Sequence, residues 1–239
     1  AQSLFSEDKH QETIPHYSYV IEQQQNEFTE NALSRLSLVY LENNLWQKAI
    51  PVLERLEKEA DLPQNRTFAQ SNLMKGYYEN KEYSKAVTYA EMVLKNSKLE
   101  NRVKSDAQII IARSAIKTNN ETKARNAYNE VEKIASGELK AEALYYNAYF
   151  ENKDGSHRVS NQIVQKIASD YSAYKYWAAK GLIIMANNYY ELNDAYQATY
   201  ILESVIKNFA QFNDVTEEAK TALTKIKTEA AKTNESVKN

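Results

Sequence analysis

Apolar residues return at spacings of three, four and seven along nearly the whole chain, with polar residues between them. That period sets the apolar positions on one face of a helix, whereas a strand would alternate every second residue. Short polar stretches interrupt it. In "GYYENKEYSKA", Gly76 to Ala86, the "ENKE" segment reads as a turn between two helices, with Tyr77 and Tyr83 packed around it and Tyr78 pointing elsewhere. Read this way, the chain predicts helix pairs at 28–43 with 46–60, 65–79 with 82–97, 101–118 with 121–135, 138–151 with 156–169 and 174–192 with 194–209. A short helix end and a second helix at about 9–25 precede them, and an amphipathic one at 214–232 follows, with Ala219, Ala222, Leu223 and Ile226 on one face. Residues 233–239 are expected to fray.

The pairs align with one another. A small residue follows each turn: Thr13, Ala49, Ala86, Ala124, Ser160 and Ala198, at intervals of 36 to 38 residues. Four residues later come Tyr17, Leu53, Ala90, Tyr128, Val164 and Leu202, and seven later Val20, Leu56, Val93, Val131, Ile167 and Val205. Twelve before stand Ala1, Ser37, Met74, Ala112, Ala148 and Ala186; nine before stand Leu4, Tyr40, Tyr77, Ala115, Glu151 and Tyr189. Small residues on both members of a pair let the helices approach, and large ones around them fill the space. The chain therefore reads as one array of repeats over 1–239: a partial unit at about 1–26, full units at 28–60, 65–97, 101–135, 138–169 and 174–209, and a capping helix at 214–232. Ala1 aligns with the middle of a first helix, which predicts a fragment of a longer array; a mature chain that starts with "AQ" after signal cleavage is the alternative.

Composition narrows the choices. With 4 glycines and 3 prolines in 239 residues, the chain lacks the turns of phosphate-cradling folds and favours helix throughout. The longest apolar run is "GLIIMA" at 181–186, far short of the roughly 20 residues that span a bilayer. Thirty basic and 32 acidic residues are interleaved, so no surface tracks phosphates and no nucleic-acid partner is expected. The absence of cysteine removes disulfides, thiolate metal sites and thiol nucleophiles, and suits the cytosol or an oxidising envelope equally.

The columns resemble the tetratricopeptide repeat, a helix–turn–helix unit with the signature W-x2-L-G-x2-Y…A-x3-F. The agreement is good after the turn. Before it, Ser, Met or Ala stands where the signature has Gly, the closing Pro is missing, and the period exceeds the usual one of about 34. An unrelated helical array of the same period is the alternative. The resemblance implies an all-α, right-handed α-solenoid that binds proteins or peptides without catalysis. Residues 174–209, "YKYWAAKGLIIMANNYYELNDAYQATYILESVIKNF", are also similar to the C-terminal repeat of large cell-envelope tetratricopeptide proteins of Bacteroidota. That implies a periplasmic or outer-membrane-associated scaffold.

No catalytic motif, metal set or cofactor loop is present, so no enzyme and no cofactor are expected. Two of the three histidines, His10 and His157, sit three residues before an anchor and read as turn packing. Recognition is sought instead on the inner face of each first helix, fifteen, eleven and eight residues before the anchors. Those positions nominate Lys75, Tyr78, Arg113, Tyr145, Tyr149, Asn187 and Tyr190 as peptide contacts. Ten of the 18 tyrosines fall between Tyr145 and Tyr200, and tyrosine gives contact area and a hydrogen bond at low entropic cost. The carboxylate clamp of chaperone-binding members is not reproduced: Asn72 stands at its middle position, but Ser34, Leu38, Asp106 and Ile110 flank it, so chaperone tails are not expected partners. A spacer role without a groove ligand, or binding of glycan or peptidoglycan fragments, are the alternatives.

Overall fold

Each turn within a pair passes through one residue of positive φ, and that residue stands five before the anchor. Asn44, Lys81, Asn119, Gly155 and Asn193 have φ of 56°, 63°, 55°, 78° and 64°. The next N–H then reaches back to close the preceding helix: Leu45 to the Tyr40 carbonyl, Glu82 to Tyr77, Asn120 to Ala115, Ser156 to Glu151 and Asp194 to Tyr189, at 2.8 to 2.9 Å. This closure satisfies carbonyls that a helix end leaves without partners.

The computed structural model describes residues 10–96 and 99–236. A short 3-10 turn, His10–Thr13, leads into α1 (Ile14–Glu22). Then follow α2 (Thr29–Glu42), α3 (Trp46–Glu59), α4 (Pro63–Glu79), α5 (Tyr83–Leu94), α6 (Asn101–Lys117), α7 (Glu121–Ile134), α8 (Gly137–Lys153), α9 (His157–Asp170), α10 (Lys175–Glu191), α11 (Ala195–Asn208) and α12 (Asn213–Ser236). The described residues contain no strand. Helix ends depart from expectation at several places. Pro63 opens α4, where its missing N–H costs nothing. α1 stops at Glu22 because Gln23 is extended, and α5 stops at Leu94 as Lys95 and Asn96 turn back on the Met92 and Val93 carbonyls. α12 runs on to Ser236, past the bound expected at 232. Ala1, Leu4, the His10 side chain and residues 237–239 lie outside the described residues.

The chain forms two compact units, Ala1–Ala127 and Tyr128–Asn239, divided within α7. In the first unit α2 packs on α1 and α3, α4 on α3 and α5, and α6 on both α5 and α4. The close approach of α3 and α4 needs Gly76: a Cβ there would stand 3.1 Å from Ile50 Cγ1 and 3.3 Å from Trp46 Cε3. In the second unit α8, α9 and α10 pack mutually, α11 packs on α10, and α12 on both α10 and α11. Val215, Ala219 and Ile226 bury the inner stripe of α12, with Ala222 and Leu223 partly buried beside them.

The packing follows the columns. Every anchor residue is fully buried, from Thr13 to Ala198 at 0% exposure. Tyr17, Leu53, Ala90, Tyr128, Val164 and Leu202 are buried one turn on. The turn around "ENKE" differs from expectation in one respect. Tyr77 is buried by stacking on Tyr89, with ring centroids 5.5 Å apart, while Tyr83 packs on Tyr78 at 5.7 Å. The phenol of Tyr77 donates to Glu54, which draws it toward α3 and leaves Tyr78 to cover the turn.

Candidate peptide-binding surfaces

Three of the seven nominated residues lie in the first unit. Lys75 on α4 and Arg113 on α6 are half-buried, as is Tyr78. The Lys75 ammonium lies 2.6 Å from Asp106 Oδ2 on α6, so its charge is already answered by the neighbouring helix. Tyr78 spends one face on Tyr83.

The other four lie in the second unit and divide into two surfaces. Tyr145 and Tyr149 belong to an aromatic cluster on α8 and α10. Tyr145 is buried, with Trp177 at 5.4 Å and Tyr146 at 5.0 Å between ring centroids, and Lys180 Nζ is 5.6 Å from its own ring centre. Burial, then the Glu218 charge, holds its phenol well above the usual tyrosine range. Tyr149, one turn on, is 39% exposed and meets Tyr146 and Phe150 edge-on. The four-residue spacing thus separates one core ring from one surface ring.

Asn187 and Tyr190 share a cleft of about 720 Å³ bounded by the ends of α8 and α10, the start of α9 and the face of α12. Ile183, Ala222 and Ile226 line its apolar part; Asn152, Lys153, His157, Glu191, Glu218, Thr221 and Lys225 line its polar part. Salt and hydrogen bonds tie α12 to α10 beside it. Lys180 pairs with Glu218, and the Tyr190 hydroxyl donates to Glu229. That hydrogen bond, followed by burial, raises the Tyr190 pKa. Tyr176 Oη donates to Asp214 Oδ2 at 2.8 Å near the start of α12.

Behind the cleft lies a polar network that the columns did not reveal. Asn188, fully buried, donates through Nδ2 to Ser160 Oγ and to Asn161 Oδ1, both at 2.8 Å. Its Oδ1 contacts Asn152 Nδ2 at 2.7 Å and His157 Nδ1 at 3.1 Å. Ser160 Oγ donates in turn to the Ala148 carbonyl at 2.8 Å. The one sequence sign was Asn188 itself, an amide ten residues before the anchor where other repeats carry Val39, Gly76, Ser114 and Phe150. Among the described residues no group of three His, Asp or Glu side chains gathers to hold a metal, and no helix is long and apolar enough to cross a membrane.

No protein-family model matches the chain, and no curated protein matches it by sequence. Solved structures match it well. YrrB, described as a tetratricopeptide-repeat protein with an unusual peptide-binding site, superposes with a TM-score of 0.61 at 12% identity, over 88% of this chain and 97% of its own. A tetratricopeptide repeat protein from Parabacteroides merdae gives 0.58 at 13% identity, over 95% and 89%. A putative kinesin light chain with nearly identical repeats, from Podospora anserina, gives 0.55 at 16%, over 76% and 95%. The chain has the tetratricopeptide-repeat fold. In that fold α2, α4, α6, α8 and α10 are the first helices of successive units and α3, α5, α7, α9 and α11 the second. The nominated residues all lie on first helices of the tetratricopeptide array.

Proposed function

We propose that this protein is a non-enzymatic scaffold that binds a protein or peptide segment along the first-helix faces of its tetratricopeptide units. The observation that carries the reading is the cleft of the second unit. About 720 Å³ of space lies between α8, α10 and α12, with an apolar floor and several polar side chains around it. Peptide sites combine these features, because apolar area supplies binding energy and a few fixed polar groups set register. YrrB, which shares the fold at 12% identity, supports the reading through its own peptide-binding site. The proposal sets the scaffold in a bacterial cell-envelope assembly, supported by the resemblance of residues 174–209 to the envelope tetratricopeptide proteins of Bacteroidota.

The test is panning of a displayed peptide library against the whole chain, followed by affinity measurement with purified peptides. Asn187→Ala and Tyr190→Ala are expected to weaken selected peptides by about tenfold or more, as hot-spot truncations do. Unchanged affinity in both variants, with helix content preserved, rejects the cleft as the peptide site.

A further inference from the structure

We propose that the cleft of the second unit takes a cationic side chain of its peptide partner, arginine foremost. This rests on the peptide-scaffold reading and names the chemistry of its ligand. The Ala148 carbonyl can only accept, so the single Ser160 hydroxyl proton is committed to it. Ser160 Oγ must then accept from Asn188, which fixes the amino end of the Asn188 carboxamide on that side. The oxygen end therefore faces Asn152 and His157, and both must donate to it. For Asn152 this turns Nδ2 inward and directs Oδ1 away from the network. For His157 it sets the proton on Nδ1 and leaves Nε2, in the neutral ring, as an acceptor.

Both residues line the cleft. The network thus consumes donors inside and offers acceptors outside. Of the charged side chains on the same lining, Glu218 is held by Lys180 and Lys153 is already engaged, which leaves the exposed Glu191 carboxylate on this edge and Lys225 on the α12 wall. A guanidinium suits this edge, since it carries five donors in a planar fork and accepts nothing. The apolar stretch from Ile183 to Ile226 suits its methylene stem.

The experiment uses the full chain labelled with 15N and 13C, and three blocked amino acids: N-acetyl-arginine, N-acetyl-glutamate and N-acetyl-norleucine methylamides. Imidazole nitrogen shifts are expected to show the Nδ1-protonated tautomer at His157. The arginine probe is expected to shift the His157 and Asn152 side-chain signals saturably, about tenfold more tightly than the other two. Glu191→Gln, a surface change, is expected to weaken only the arginine probe, by about threefold or more. An Nε2-protonated His157, a glutamate probe that binds as well as arginine, or no saturable shift with arginine each overturns the proposal. Panned peptides that need Asn187 and Tyr190 but no basic residue would overturn it while leaving the scaffold reading intact. A bound arginine probe without any cleft-dependent peptide would do the reverse.

Discussion

Asn188 Nδ2 lies 2.8 Å from the hydroxyl oxygen of Ser160, the fully buried anchor residue near the start of α9. One buried amide thereby joins three helices, because its other contacts run to Asn161 and His157 on α9 and to Asn152 on α8. Replacing it removes one partner from each of four polar groups at once. Asn188→Leu is expected to cost about 2–4 kcal/mol, since each buried group left without a partner costs about 1–3 kcal/mol and water reaches some of them. Urea denaturation reads the loss. A double-mutant cycle with Ser160→Ala should show strong coupling, and an unchanged midpoint for Asn188→Leu would mean that the network contributes nothing.

The columns were legible because volume repeats with the period: six small anchors and the six residues one turn later, five of them larger than alanine, are all buried. Other features carry no such signal. The positive-φ position is filled by Asn, Lys, Asn, Gly and Asn, residues that share a backbone need and no side-chain chemistry. Tyr145 and Tyr149 both stand on an inner-face register, yet Trp177 from the next unit covers only the first of them. What a neighbouring repeat places over a residue is invisible in that residue's own repeat. Asn187 and Tyr190 lie toward the end of α10, beside the cleft.

Lys81 is the one residue in the positive-φ column that is neither Asn nor Gly. A long side chain in the left-handed region is strained, and Gly or Asn is favoured there. Lys81→Gly is expected to raise stability by about 0.5–1 kcal/mol, with Lys81→Asn a little less. Thermal unfolding of both variants checks this; a lower melting temperature for either would show that the side chain compensates for its backbone.

Ala86 is fully buried at the start of α5, against the helices on either side of its turn. Ala124 holds the same place in α7. A phenyl ring at either position has no room. Ala86→Phe and Ala124→Phe are each expected to cost about 1–3 kcal/mol by overpacking. Chemical denaturation of the two variants is the measurement, and wild-type stability in both would show that the helices do not close on these methyl groups.

Alkaline pH should unfold the protein through its tyrosines. Burial, then a hydrogen bond to Asp214, pushes Tyr176 up to about 12, and burial likewise raises Tyr17, Tyr77, Tyr89 and Tyr145. A tyrosine whose folded pKa exceeds its unfolded one favours the native state while it keeps its proton. That contribution is complete below the unfolded value of about 10 and is lost as pH rises through the folded value. Stability is therefore expected to fall between about pH 10 and 12, with tyrosinate absorbance rising late and together with loss of helix. Tyr176→Phe should remove the part of the decline that belongs to Asp214. Smooth titration near pH 10 with helix intact would contradict this account.

Tyr145 and Tyr149 allow stability and recognition to be separated on one helix. Tyr145 is 8% exposed beneath Trp177 and Tyr146, so Tyr145→Ala opens a cavity the size of a ring. Its expected cost is about 3–5 kcal/mol, as for other buried aromatics. Tyr149 is 39% exposed and keeps only edge contacts, so Tyr149→Ala should change stability by no more than about 1 kcal/mol. If the bound peptide runs over the α8 face, Tyr149→Ala is expected to weaken it by about 1–2 kcal/mol with folding unchanged, which makes it the cleaner probe. Denaturation curves and peptide affinities for both single variants decide. Equal stability losses would place both rings in the core. A Tyr149 variant that binds library-selected peptides like the wild type would confine recognition to the cleft at Asn187 and Tyr190.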